Sequence, residues 1–152
     1  MKPLSVGVIG LGVGEQHVRS YQEIPDIEVK AICDINKTHL KAVGQKYGIE
    51  QIYSDWKKIT EHQDLDVVSV CSFDDFHSQQ VISAFNHEKH VMVEKPVALN
   101  RADAESILRA QSDSGRFLSS NLILRQSPRF KALRREIAEG HFGEVFCIEG
   151  DY

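Results

Sequence analysis

Two short runs, Gly10-Leu11-Gly12-Val13-Gly14 and Glu94-Lys95-Pro96, carry the chemistry that this chain advertises, and each follows an apolar, strand-like segment. Glycines after a strand let the backbone turn tightly and approach a phosphate with no Cβ in the way. The amides that open the next helix then point at the anion, with the helix dipole behind them. Asp34 stands 22 residues beyond Gly12, near the roughly 20 expected of the acidic residue that hydrogen-bonds a dinucleotide's ribose. A carboxylate there accepts both ribose hydroxyls and repels a 2′-phosphate, which favours NAD over NADP. Lys37 keeps NADP in view.

The glycine spacing departs from the common fingerprint. G-x-G-x-x-G would put its third glycine at position 15, where Glu15 stands, and the chain supplies Gly14 instead. A G-x-G-x-G turn before an acidic strand end also suits S-adenosylmethionine, and a glycine-rich turn without a ligand is a third reading. Proteins that bind S-adenosylmethionine usually carry an acidic residue two places before the first glycine, where this chain has Val8.

The elements that must position these residues alternate. Val6, Val8 and Ile9 form a strand, a polar helix runs to Pro25, and Ile27 to Cys33 form a second strand ending at Asp34. Thr38 to Tyr47 reads as a helix closed by Gly48, Asp55 to His62 as a short helix, and Asp66 to Cys71 as a buried strand. A helix lined by Val81, Ile82 and Phe85 follows, then the strand His90 to Val93. Arg101 to Ser114 is the next helix, with Asn100 as its cap and Ile107 and Leu108 facing inward. This alternation predicts an α/β protein, a Rossmann-type doubly wound parallel sheet. Ligands of such sheets sit beyond the carboxyl ends of the strands, where the glycine run, Asp34, Ser72 to His77 and Glu94 to Pro96 all fall.

With these stretches in place, the chain resembles the amino-terminal part of the Gfo/Idh/MocA family of glucose-fructose oxidoreductase and inositol dehydrogenase. The resemblance runs through Val6 to Gly12, Ala31 to Asp34, Val68 to Ser72 with His77, and His90 to Leu99; Glu94-Lys95-Pro96 is its most specific mark. It implies that Gly10, Leu11, Gly12, Val13 and Gly14 cradle a pyrophosphate and that Asp34 holds the adenosine ribose. Ser72 and His77 match the family's Thr-Pro-Asn-x-x-His pattern, with Phe73 and Asp74 replacing its proline and asparagine. Glu94 is implied near the nicotinamide ribose, Lys95 near the reacting carbon, Pro96 after a cis peptide bond, and Asn121 near the nicotinamide.

The implied reaction is hydride transfer between NAD and a hydroxyl carbon of a sugar, cyclitol or sugar-nucleotide. Such a transfer must also remove the hydroxyl proton. A lysine desolvated beside a cationic ring has its pKa lowered, so Lys95 is the candidate base. A surface lysine paired with Glu94 is the plainer reading of the same dipeptide. His17, on the first helix, reads equally as a surface histidine or an aid to the cofactor loop. A dinucleotide-binding module without chemistry is the rival function.

Family members usually continue into a second α/β domain. Residues 1–120 therefore read as the dinucleotide-binding domain and 121–152 as the start of a truncated second one. In that second part Ser127-Pro128 opens a helix, and Glu144 to Glu149 reads as a strand. Net charge −4 and 26% charged residues suit an ordinary cytoplasmic globular protein and give no basic excess for nucleic acid. No run of about 20 apolar residues offers a membrane span. Cys33, Cys71 and Cys147 lie in apolar stretches and read as reduced core residues. His87 and His90 are not placed to share a metal, and no metal site is expected. The complete form is expected to bind a sugar-like molecule and to be a homo-oligomer.

Overall fold

The computed structural model describes residues 3–150. The chain divides into two compact units, Met1–Asn121 and Leu122–Tyr152.

In the first unit six strands, β1 (Leu4–Ile9), β2 (Ile27–Cys33), β3 (Gln51–Tyr53), β4 (Val67–Val70), β5 (His90–Val93) and β6 (Leu118–Ser120), form one sheet in the order β3-β2-β1-β4-β5-β6. All the pairings are parallel. Five helices connect them: α1 (Gly14–Gln22), α2 (Lys37–Tyr47), α3 (Lys57–Thr60), α4 (His77–Asn86) and α5 (Arg101–Ser114). The chain winds outward from β1 on one side and from β4 on the other, so the crevice between β1 and β4 is the topological switch point of the sheet.

Strand alternation sends side chains to two cores. Val6 and Val8 of β1 join Leu11, Val18, Ile32, Leu40 and Val43 beneath α1 and α2. Ile9 joins Ile59, Val68, Val70, Val81, Phe85, Val93 and Ile107 on the opposite face. Gly7 also faces that second side, where a Cβ would stand 2.5 Å from Leu65 Cδ1 and 2.7 Å from Ile59 Cγ2. In β2 the register steps from Val6↔Val29 to Gly7↔Ala31. Lys30 is therefore a bulge residue, and Val29 and Ile32 reach the same core three residues apart.

Helix ends follow their sequence signals. Asn36 Oδ1 caps α2 by accepting from the amides of Thr38 and His39, each at 3.1 Å. Gly48 closes that helix at φ +68°. Asn100 caps α5, accepting from the Asp103 amide at 2.9 Å. Two expectations are corrected here. Leu108 is 60% exposed while Ile107 is buried, because neighbours on a helix point about 100° apart and one stripe faces the sheet. The helix expected over 55–62 is a single turn, Lys57–Thr60.

The second unit holds a 3-10 turn, Ile123–Gln126, and one helix, α6 (Pro128–Ala138), with Pro128 in its first turn. Ser127 precedes α6 without a side-chain capping bond. The strand expected over 144–149 does not form, and Phe146 is 98% exposed. A lone strand has no ladder partner to stabilise it. Cys147 is accordingly exposed, whereas Cys33 and Cys71 are buried as expected.

Candidate functional site

The ends of β1, β2, β4, β5 and β6 bring the glycine turn, Asp34, Ser72, Glu94-Lys95 and Asn121 to one edge of the sheet. Gly10 adopts φ +82°, and a Cβ on it would lie 2.7 Å from the Cys71 carbonyl oxygen and from the Ser72 amide nitrogen. Gly14 packs α1 against the sheet, with 3.1 Å from its hypothetical Cβ to both Val8 Cγ1 and Cys71 Cβ. Gly12 faces open space, with nothing within 4 Å of where a Cβ would stand. Gly10 thus makes the turn, Gly14 makes the packing, and Gly12 leaves room for a close approach.

Glu15, which displaces the fingerprint's third glycine, points to α2. Its carboxylate accepts from Lys46 Nζ at 2.7 Å and from the Tyr47 hydroxyl at 3.2 Å. The Lys46 bond holds its pKa below the ordinary carboxylate value despite desolvation. That pairing offsets a negative charge which would otherwise oppose an anion at the start of α1.

Asp34 is held by backbone. One oxygen accepts from the Leu11 amide and the other from the Asn36 amide, both at 2.7 Å. A carboxylate can accept about four hydrogen bonds, so both oxygens retain capacity for hydroxyl donors. Leu11, fully buried, offers the site no free amide; its carbonyl accepts from His39 Nε2 at 3.1 Å. A cavity of about 650 Å³ opens here, lined by Gly10, Gly12, Asp34, Ser72, Phe73 and Gln80 among others. Its place along the strand ends and its open glycine fit a dinucleotide's adenosine half. Cys33 and Cys71 are also among the lining residues, and burial pushes each thiol up to about 12. Neither is a thiolate at neutral pH, which removes them as nucleophiles.

Ser72 Oγ donates to Gln80 Oε1 at 2.7 Å. His77 is fully buried, with Nδ1 2.7 Å from the Pro96 carbonyl and Nε2 3.1 Å from the Ser72 carbonyl. As a ligand contact His77 needs correcting: both ring nitrogens face backbone, and the ring ties the loop after β4 to the turn after β5.

The Lys95–Pro96 peptide bond is cis, as the resemblance implied. Glu94 is not paired with the lysine beside it. Its Oε1 accepts from Asn121 Nδ2 at 2.6 Å and contacts His17 Nε2 at 3.0 Å, while Oε2 accepts from the Lys95 amide at 3.2 Å. Burial alone would push this carboxyl up, but the bonds from Asn121, His17 and the Lys95 amide outweigh it and hold the pKa below its ordinary value. Lys95 is exposed, and among the described residues its Nζ forms no ion pair.

Tyr21, Ser69 and Gln80 are residues of the candidate site that the sequence alone did not mark, and His17, which reads in sequence equally as a surface histidine or an aid to the cofactor loop, has its side chain only 9% exposed beside Glu94. Two signals were present: His17 and Tyr21 share one face of α1 at i, i+4, and Ser69 is the polar residue in an otherwise all-valine β4. Among the described residues one set of metal-type donors converges, Glu136, Glu139 and His141, on the surface of the second unit. No helix of the described residues is long and apolar enough to cross a membrane.

The glycine turn, the carboxylate at the end of β2 and the strand order define a dinucleotide-binding α/β domain. Residues 4–122 match the model of the oxidoreductase family with an NAD-binding Rossmann fold, and the chain belongs to that family. NAD is the cofactor of that domain, and the S-adenosylmethionine reading falls with the match. The chain is 32% identical over 146 residues to the myo-inositol 2-dehydrogenase of Thermotoga maritima, covering 95% of this chain and 44% of that protein. It is 30% identical to the D-glucoside 3-dehydrogenase of Escherichia coli, over 95% of this chain and 42% of that one. A crystal structure of a probable dehydrogenase from Thermotoga maritima superposes with TM-score 0.85 and 33% identity, covering 92% of this chain and 42% of its own. The chain therefore spans under half the length of these relatives.

Proposed function

We propose that this chain forms the cofactor-binding part of an NAD-dependent oxidoreductase acting on a hydroxyl carbon of a sugar, cyclitol or sugar-nucleotide. The names of the relatives, an inositol and a glucoside dehydrogenase, support that substrate class. Gly10, Gly12, Val13 and Gly14 cradle the pyrophosphate against the start of α1, with Leu11 anchoring the turn to Asp34. Asp34 accepts the adenosine ribose hydroxyls and selects NAD over NADP. Ser72 lines the adenosine half, and His77 holds the turn that carries Lys95. Glu94, steadied by Asn121, receives the nicotinamide ribose.

NAD accepts the hydride. Lys95 accepts the proton of the reacting hydroxyl, and the observation that carries this role is the lysine's own freedom. Glu94 is engaged by His17, Asn121 and the Lys95 amide, so the Lys95 Nζ has no ion pair to give up before meeting a hydroxyl. Residues 122–152 open the substrate-binding part of a complete protein that assembles as a homo-oligomer. Buried, unpaired Cys33 and Cys71 suit the reducing cytoplasm.

Measured on the complete protein, Lys95→Ala should lower turnover by about 10²–10⁴-fold, the usual contribution of a general base, with NAD affinity kept. Full turnover in that variant would remove the lysine from the mechanism.

A further inference from the structure

We infer that His17 is a positioning residue, whose protonated Nε2 fixes the Glu94 carboxylate toward the nicotinamide ribose. The inference rests on the ribose role proposed above for Glu94. His17 Nε2 lies 3.0 Å from Glu94 Oε1, and the two side chains are only 9% and 10% exposed. The neighbours of the other ring nitrogen decide where the proton sits. Nδ1 is 2.9 Å from Ser69 Oγ, and that oxygen also accepts from the Tyr21 hydroxyl at 3.2 Å. Ser69 is fully buried.

A proton on Nδ1 alone would turn the Nε2 lone pair on a carboxylate. It would also leave the Ser69 proton to Cys71 Sγ at 3.6 Å, a weak acceptor. A proton on Nε2 instead joins donor to acceptor along the chain, Tyr21 O–H to Ser69, Ser69 O–H to Nδ1 and Nε2–H to Glu94, while Asn121 Nδ2, 3.4 Å from Nε2, gives its proton to Glu94 Oε1 at 2.6 Å rather than to the ring. An imidazolium makes the same donation to Glu94, so Nε2 carries a proton in either charge state. With Asn121 at 2.6 Å, Oε1 then has two donors, while Oε2 has the Lys95 amide at 3.2 Å and lone pairs to spare for a ligand. Side chains from α1, from β4 and from Asn121 after β6, with the Lys95 backbone amide, thus orient the carboxylate before any ligand arrives, which lowers the ordering cost of binding.

The test is a set of NADH fluorescence titrations of this chain, with ADP as a probe of the adenosine half. His17→Leu should weaken NADH about tenfold, within the range of a lost charge-assisted bond, and leave ADP unchanged. His17→Gln, whose amide nitrogen can reach the place of Nε2, should recover most of the loss. In a Glu94→Gln background His17→Leu should add nothing, since the coupled pair is already broken. Unchanged NADH affinity in His17→Leu, or losses that simply add, would overturn the inference. Unchanged affinity in Glu94→Gln alone would instead remove the ribose role of Glu94, and the inference with it, without involving His17. Should His17→Leu fail to fold, the ring's ¹⁵N spectrum in the unaltered protein decides: a protonated Nε2 supports the assignment and a bare Nε2 ends it.

Discussion

The two halves of the cofactor crevice are built by different means. On the β1–β2 side the working parts are backbone: a positive-φ glycine, an open glycine, and a carboxylate clamped by the amides of Leu11 and Asn36. On the β4–β5 side they are side chains, with Glu94 meeting His17 and Asn121, 77 and 27 residues away in the chain. Backbone geometry is fixed by residue type at a few adjacent positions. A side-chain network exists only after the sheet has assembled, so it depends on the fold as a whole.

The sharpest separation lies within the glycine turn. Gly10→Ala would force an L-residue to φ +82° and drive its Cβ to 2.7 Å from the backbone of Cys71 and Ser72. Backbone cannot yield as a side-chain tip can, so we expect about 3 kcal/mol or more of destabilisation in urea unfolding. Gly12→Ala meets nothing within 4 Å. It should keep its stability within about 0.5 kcal/mol, yet lose at least about tenfold in NAD affinity, because the added methyl fills the open space proposed for the pyrophosphate. Equal unfolding losses for the two variants would erase the division of labour between them.

Asp34→Arg probes the same side with a smaller effect. It removes the carboxylate proposed to accept two ribose hydroxyls and supplies a cation for a 2′-phosphate, so calorimetry should show NAD weaker by about tenfold and NADP no longer disfavoured. The variant should also unfold somewhat more easily, since the Leu11 amide loses its acceptor at 2.7 Å. An unaltered cofactor preference would detach Asp34 from the ribose.

This contrast also explains what could be read in advance. The glycine turn, Asp34 and the helix cap at Asn100 are local patterns whose physics acts within a few residues, and each stands where its pattern predicts. Glu94-Lys95-Pro96 was legible as a motif, but Glu94's partners were not: His17 reads equally as a surface histidine or an aid to the cofactor loop, with nothing to pair it to Glu94, and Ser69 as a polar residue inside a strand. Leu108 and the expected strand over 144–149 failed for the matching reason. Apolar character says that a residue can be buried, whereas the presence of a facing element decides whether it is.

The smallest predicted effect tests the side-chain half without a ligand. Desolvation opposes the ionised form of Glu94, and the bonds from Asn121, His17 and the Lys95 amide outweigh it. Its pKa in the folded protein therefore lies below that in the unfolded chain. For such a group the stabilising contribution is complete above the unfolded-state pKa and disappears as pH falls through the folded-state value. The wild-type protein should accordingly be more stable than Glu94→Gln at pH 6, and the gap between their urea midpoints should close as the pH is lowered from the ordinary carboxylate range downward. A single buried network does this with few groups, so the effect should be modest beside that of Gly10→Ala. A gap independent of pH would mean that Glu94 acts by shape alone, and the contrast between a backbone half and a charge-ordered half would lose its second member.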